Sequence, residues 1–579
     1  MGKLASLPTL LVHPHLVLLS SIMITAVAGT ILFFPSFAHL LSPPLKLTTF
    51  QTSVIVSVAI CGSLSGMLCG AIHAQCGTRG TALLGLLLIF AGYTWTMLLV
   101  LAEKDSKRTT GDFVAMVLSA LLINNGSSLS YLAGLMAVSS AFYKKHHDKL
   151  YGLISSIFAL SSGLCGMLQK RFFNNVGPLM VFLSFSSGIA IIFALFINGA
   201  ISKTLLFEYF QPIYFESTDR KISWVFFVIA SITSILIYHG YSESRGSLQH
   251  EEVWVFLTLS LFCSLWMLVA DVRPAVGVLY DRGSLTNREK KHSVTTEASS
   301  ALSWRHKSRK YGSFDREWRE HTVSRDRLHD TMQLAFSTRY VSLFLIISIA
   351  YGTSMTLLSN AHGLILSRAF VPSSAYDGKS FFASTFHFLT RRSNGSLVLF
   401  STCSVLGRLF VGFALGLDRY ETFVRKEAYL LLNLIVMMCG FVFAIFVPFK
   451  LVFLPFVFLG FSFGSVAVLA PVLIDTWFGE EMLAALYGFM GLALTSGGLI
   501  LPNALFQLQQ SISSIYPKVK LLGRNSTRVY CIGSKCFTLT FVIDLFLCLL
   551  SVLLSLHLLN LPRDRKSTSE HVEQSTQSA

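Results

Sequence analysis

The 579-residue chain is 53% hydrophobic and only 13% charged, and its mean hydropathy is +0.61. That balance excludes a soluble globular domain, which needs far more charged surface, and places the chain among polytopic membrane proteins. Its net charge of +16 is not the footprint of a nucleic-acid binder, because the basic residues gather in loops, where they set membrane topology.

Apolar runs of about 20 residues are long enough to cross a bilayer as helices. In chain order they fall near 16–41, 51–74, 81–102, 113–141, 150–169 and 178–200, then as a pair near 222–240 and 252–271. A second series follows near 337–361, 396–417, 428–449, 451–474, 484–506 and 537–560. The expected architecture is all-α, with 12–14 transmembrane helices in two six-helix bundles. The expected divisions are 1–200 for the first bundle, 201–271 for the extra pair, 272–336 for a basic cytoplasmic loop, 337–560 for the second bundle and 561–579 for a cytoplasmic tail.

Most of the 46 Lys and Arg fall on the inner side if the N-terminus is cytoplasmic, so both termini are expected inside. The sequons at Asn394 and Asn525 then lie outside, where glycosylation is possible. The first apolar stretch is broken by His13, Pro14 and His15 and lacks a small-residue cleavage site. It reads as an uncleaved anchor rather than a signal peptide. Cys531 and Cys536 share the last outer loop, where a disulfide is permitted; a reduced pair is the alternative.

In the second helix, Gly62, Gly66 and Gly70 share one face, a seam for helix packing. The stretches Gly70–Arg79, with Gly77, and Gly412–Arg419, with Asp418, both set small residues before a basic one, where a helix is expected to turn at the cytoplasmic face. They read as a weak internal repeat and as gating loops. The fourth helix carries the polar run Asn124–Tyr131, with Ser127 and Tyr131 as candidate solute contacts and helix-to-helix glue as the alternative. Asn360 and His362 stand at the outer end of the ninth, where gating or solute contact is the expectation; a histidine also changes charge near neutral pH.

Ser396–Leu417 reads SLVLFSTCSVLGRLFVGFALGL, with Arg408 near its middle. A guanidinium at that depth costs about 2.5–3.5 kcal/mol by insertion scales and cannot shed its proton. It should face a water-filled cavity or a partner, and its fork of donors matches a carboxylate or phosphate. Snorkelling to the interface is the bland alternative. Asp544 in the last helix is either a proton or ion carrier, a partner for Arg408, or a carboxylate near the outer interface. There is no P-loop, no His-Glu-x-x-His, no paired Cys-x-x-Cys set and no nucleophile elbow. No enzyme, metal site or cofactor is therefore expected, and uphill movement would need an ion or solute gradient.

Several stretches resemble the major facilitator superfamily, specifically its nodulin-like branch, which is similar to the yeast monocarboxylate transporter homologue. Gly29-Thr30-Ile-Leu-Phe-Phe34 resembles the first-helix pattern of that branch. Ala141–Gly152 resembles its short basic loop and fifth helix, and Tyr351-Gly352-Thr353 with Asn360-Ala-His362-Gly363 resembles a seventh-helix pattern. Leu406-Gly407-Arg408 is similar to its Gly-Arg pair, and Cys531–Phe541 to the stretch before its last helix. The sequence departs from the superfamily at Ala74 and Gln75, where its first loop has Asp and Arg. Ile31 and Leu32 replace an aromatic. Ser404 stands where the monocarboxylate transporters carry an acid before their arginine.

The resemblance implies two bundles rocking about a midplane site, with Thr30, Phe34, Ser127, Tyr131, Asn360, His362 and Arg408 as solute contacts. The expected partners are a small solute and the bilayer, with no nucleic acid, and a monomer is the family expectation. The leading reading is a secondary transporter for a small solute, an organic anion such as a monocarboxylate. The alternative is a non-transporting sensor or scaffold that signals through 272–336. Plasma membrane and a vacuole-like organelle are both compatible.

Overall fold

The computed structural model describes residues 14–34, 49–61, 66–101, 110–142, 144–172, 176–195, 222, 225–226, 228–238, 332–369, 379–417, 425–513, 518–522, 527–531 and 536–561. The first half holds α1 (Pro14–Ala28), α2 (Thr49–Cys61), α3 (Gly66–Leu101), α4 (Thr110–Ala141), α5 (Lys144–Phe172) and α6 (Val176–Ala194). A short helix α7 (Val228–Tyr238) follows. The second half holds α8 (Thr338–Ala369), α9 (Lys379–Leu417), α10 (Lys426–Phe446), α11 (Leu454–Phe478), α12 (Glu480–Ser513) and α13 (Thr538–Asn560). Among the described residues, ten helices are long and apolar enough to cross a membrane. Leu87, Leu98, Phe185, Phe446 and Phe546 are all more than half exposed, a surface suited to lipid rather than water. The second expected helix of the extra pair, 252–271, lies outside the described residues.

The structure corrects several expected boundaries. The first helix stops at Ala28 and tightens into a 3-10 turn over Gly29–Phe33. Gly29 allows this crowding: a Cβ there would lie 2.7 Å from the Phe158 carbonyl carbon on α5. The expected loop after the second helix is compressed to one residue. Helix α3 runs on both sides of Gly77, which turns the chain at φ 68° and ψ 175°, a left-handed conformation that only glycine adopts at no steric cost.

Helix α9 begins well before its apolar stretch, so Asn394 lies inside a helix rather than in a loop. Asn525 lies outside the described residues. The last outer loop is not purely irregular. Strands β1 (Lys518–Leu522) and β2 (Thr527–Cys531) pair antiparallel, Val519 opposite Tyr530. Cys536 is disulfide-bonded; the side chain of Cys531, its expected partner, is outside the described ones.

The halves meet along two seams. Helix α5 packs on α9, and α3 packs on α12. A Cβ on Gly152 would lie 2.6 Å from the Gly412 Cα, and a Cβ on Gly70 would lie 2.6 Å from the Ala485 Cα. Gly70 and Gly412 are thus helix-packing positions and not loop residues. Within the second half, Gly497 of α12 lies against the Ser348 backbone of α8, and Gly464 of α11 against that of Ser404 on α9. Small residues let backbones approach this closely where no hydrophobic effect drives helices together.

Candidate functional site

Between the halves lies a cavity of about 140 Å³. On that measure one water needs roughly 10–15 Å³, so the space suits a small solute and not a peptide or lipid. Its floor on the first-half side comes from α4 and α5, which bring Asn124, Ser127, Tyr131, Ser155 and Phe158 to it. The second half contributes Tyr351 from α8, Arg408 from α9, Phe463 from α11 and Tyr487 from α12.

Arg408 is 3% exposed. Its Nη1 donates to Ser404 Oγ at 2.5 Å, one turn back on the same helix. Its Nε has no hydrogen-bond partner among the described residues, and none of the ion pairs found among them involves it. The guanidinium lies 5.6 Å from the centre of the Phe463 ring, a distance at which the ring face attracts a cation. This contact offsets only a small part of the cost of a buried charge. Pairing with Asp544, one of the alternatives for that carboxylate, is not seen: neither Asp544 oxygen has a hydrogen-bond partner among the described residues.

Around the cation stand aromatic pairs. Tyr131 lies 4.7 Å from Phe158 and 6.2 Å from Tyr487 between ring centres, and Tyr351 lies 5.3 Å from Phe463. Ser155 and the phenol rings of Tyr131 and Tyr487 border the same cavity. The site therefore offers one fixed positive charge, three phenol hydroxyls and several ring faces, drawn from both halves.

The other expected contacts scatter. Ser127 borders the cavity, but its hydroxyl donates to the Ala28 carbonyl at 2.6 Å, at the junction of α1 and the 3-10 turn. Asn124 donates to the Ala59 carbonyl. Thr30 is not at the cavity. Its hydroxyl meets the Val27 carbonyl at 2.7 Å and Tyr93 Oη at 2.8 Å in the core of the first half. Phe34 is fully buried in the same core. The 3-10 turn explains the correction: at three residues per turn it swings Ile31 and Leu32 to the cavity and Thr30 away. Asn360 donates to the Thr356 carbonyl at 2.9 Å on its own helix and does not line the cavity. The side chain of His362, and Asp418 and Arg419, lie outside the described residues. Arg79 is half-buried just after the Gly77 turn.

Asp544 is fully buried, and neither of its oxygens has a hydrogen-bond partner among the described residues. Arg408 is also not alone as a buried cation. Lys149, read from sequence as part of a basic loop, is 3% exposed. It lies inside α5, with its ammonium 5.8 Å from the Phe413 ring centre.

Sequence reasoning missed Tyr351, Phe463 and Tyr487 as site residues. A tyrosine in the apolar stretch Met482–Leu494, beside Gly488 and near Gly491, was the available signal. It also missed a charged cluster at the end where α5 begins and α11 ends. There His147 Nδ1 lies 3.1 Å from Asp475 Oδ2, and Lys426 Nζ lies 2.8 Å from Asp148 Oδ2. Trp477 Nε1 donates to Glu427 at 3.1 Å nearby.

No family model matches the sequence, and no curated protein matches it. Among solved structures the chain is similar to a double-tryptophan variant of XylE, with a TM-score of 0.50 and 13% identity, over 94% of this chain and 95% of that one. It is also similar to XylE bound to 6-bromo-6-deoxy-D-glucose, described as a major facilitator superfamily proton:xylose symporter. There the TM-score is 0.49 and the identity 11%, over 93% of this chain and 94% of that one. The fold is thus similar to that of XylE, with a cavity between two helical halves.

Proposed function

We propose that this protein is a secondary transporter that moves a small organic anion, such as a monocarboxylate, by alternating access, and that it lies near the nodulin-like branch of the superfamily. One observation carries the reading: a buried guanidinium, without a carboxylate partner among the described residues, lines a cavity of solute size. Such a charge is expensive to hold in a membrane protein unless a ligand or water completes it. A carboxylate accepts two parallel N–H bonds from the planar guanidinium fork. The phenol hydroxyls of Tyr131 and Tyr487 orient the ligand, and the ring faces of Phe158 and Phe463 select for its apolar portion.

In this reading the Gly77 turn, the start of α5 and the end of α11 share the cytoplasmic face, in accord with the Lys and Arg distribution. The halves 1–200 and 337–560 rock about the seams at Gly152–Gly412 and Gly70–Ala485. The segments 201–271, 272–336 and 561–579 are a peripheral pair, a cytoplasmic loop and a tail. Asp544 carries the coupling proton or ion, since a buried carboxylate with no partner contributes nothing to stability. The protein works as a monomer in the plasma membrane or a vacuole-like organelle.

The test is uptake of labelled carboxylates, amino acids and sugars into proteoliposomes by wild type, Arg408→Ala and Arg408→Lys, each first shown to be folded and inserted. Uptake of an anion by wild type, lost in Arg408→Ala and weakened in Arg408→Lys, supports the reading. Uptake of a neutral solute that the variants retain overturns the anion assignment and leaves transport standing.

A further inference from the structure

We propose that His147 and Asp475 form a proton-binding site shared by the two halves, filled when the start of α5 and the end of α11 are together and emptied when they part. The donors and acceptors around the ring call for it. His147 Nε2 lies 3.0 Å from the Ser139 carbonyl oxygen and 3.1 Å from that of Phe142. Carbonyl oxygens only accept, so Nε2 bears a proton. His147 Nδ1 faces Asp475 Oδ2 at 3.1 Å. A neutral imidazole with its proton on Nε2 would point the lone pair of Nδ1 at a carboxylate lone pair. The closed arrangement therefore holds a second proton, between Nδ1 and Oδ2. The hydroxyl of Tyr151 donates to the same carboxylate oxygen at 3.3 Å and lies 3.5 Å from His147 Nδ1, so its one proton cannot serve both atoms.

The surroundings support retention of this proton. His147 is 1% exposed and Asp475 3% exposed, so water does not compete for the bond. Helix α5 itself supplies His146, Asp148, Lys149 and Tyr151 around His147. Lys426 and Glu427 face the cluster from α10, Asp475 from α11 and Glu480 from α12. Lys426 is engaged with Asp148 at 2.8 Å and Thr476 at 3.1 Å, so these two charges offset one another across the same junction. Asp475 and Glu480 both lie close enough to act on Tyr151.

Parting of the halves removes Asp475 from His147 and exposes the ring to water, which takes up the proton the pair had shared. The closed arrangement binds more protons than the open one, so linkage has a definite sign: where only the closed arrangement holds this proton, the closing constant falls about tenfold per pH unit. The inference needs the halves to part, as the transport reading has it, but it does not need the solute.

The experiment uses the full chain in lipid nanodiscs with nitrogen-15 histidine, the His147 signals being identified by their loss in His147→Gln. At pH 7.5 both ring nitrogens of His147 are expected to read as protonated, and Nδ1 is expected to lose its proton in Asp475→Asn. A neutral ring in wild type at pH 7.5, or an unchanged ring in Asp475→Asn, overturns the proposal. Hydrogen exchange at the start of α5 and the end of α11, corrected for the intrinsic rise of exchange with pH, tests the coupling to closure. Protection is expected to fall about tenfold per pH unit in wild type and to become flat in His147→Gln; equal slopes overturn the coupling. Should Asp475→Asn fail to fold, the wild-type spectrum decides alone, a neutral ring at pH 7.5 overturning the site. Absence of flux in liposomes would refute the transport reading without touching the nitrogen spectrum.

Discussion

Gly152 and Gly412 face one another with no side chain between them: a Cβ on either would lie 2.6 Å from the Cα of the other. The Gly152 position also abuts the Arg408 carbonyl, at 3.2 Å from the same Cβ. One of the two close seams between the halves is thus built directly against the backbone of the residue that borders the cavity with its cation. Any movement of α5 against α9 alters the setting of Arg408.

Replacement of Gly152 or Gly412 by alanine forces two backbones apart, because the clashing atoms are main-chain and cannot swing away. Overpacking of this kind costs about 1–3 kcal/mol. We expect Gly152→Ala to lower flux while leaving insertion intact, with a lower melting temperature for the purified protein. Unchanged flux and melting would show that the seam is not closed during transport.

Arg408→Lys keeps the charge but loses the planar fork. A hydrogen bond to a charged group is worth about 1.5–3 kcal/mol, so half-saturating anion concentration should rise roughly 10- to 100-fold. Concentration dependence of uptake measures this, and equal affinities in the two proteins would refute bidentate recognition.

Tyr487→Phe deletes a hydroxyl at the cavity and leaves the ring. A neutral hydrogen bond contributes about 0.5–1.5 kcal/mol, which predicts a few-fold to about tenfold weaker solute binding. Isothermal binding with purified protein reads the change. Identical affinities would confine Tyr487 to packing.

Thr30→Val separates position from resemblance. Loss of the hydroxyl deprives Tyr93 of its 2.8 Å partner in a sealed core, at about 1–3 kcal/mol. We expect a lower melting temperature and an unchanged half-saturating concentration. A change in affinity without a change in melting would return Thr30 to the solute site.

Asp544→Asn removes a carboxylate that no described neighbour satisfies. Melting temperature should stay level or rise. Uphill accumulation driven by a proton gradient should fail, while exchange of solute across the membrane persists. Retained accumulation would remove Asp544 from coupling.

The membrane class and the two-half plan were legible because spanning helices need only length and apolar composition, and those are local properties. Arg408 was legible because a charge stands out in an apolar run, and Tyr131 because it closes a polar stretch of α4. Thr30 and Phe34 were misplaced because a switch from α to 3-10 geometry at Gly29 leaves no mark in hydropathy. Gly412 was misread because small residues serve equally at loops and at seams. The His147–Asp475 pair lies 328 residues apart in sequence. From sequence it resolved into a loop histidine and an unremarked acid, since nothing local says that α5 begins at Lys144.

The distribution of site chemistry has a pharmacological consequence. The cation and three of its ring neighbours, Tyr351, Phe463 and Tyr487, belong to the second half, whereas Tyr131 and Phe158 belong to the first. A bound anion would therefore travel in the frame of the second half while the first half slides over it. A rigid carboxylate anchored on Arg408, with a bulky arm wedged against Tyr131 and Phe158, would tie the moving part to the stationary one. Such a compound would act as a blocker rather than a passenger.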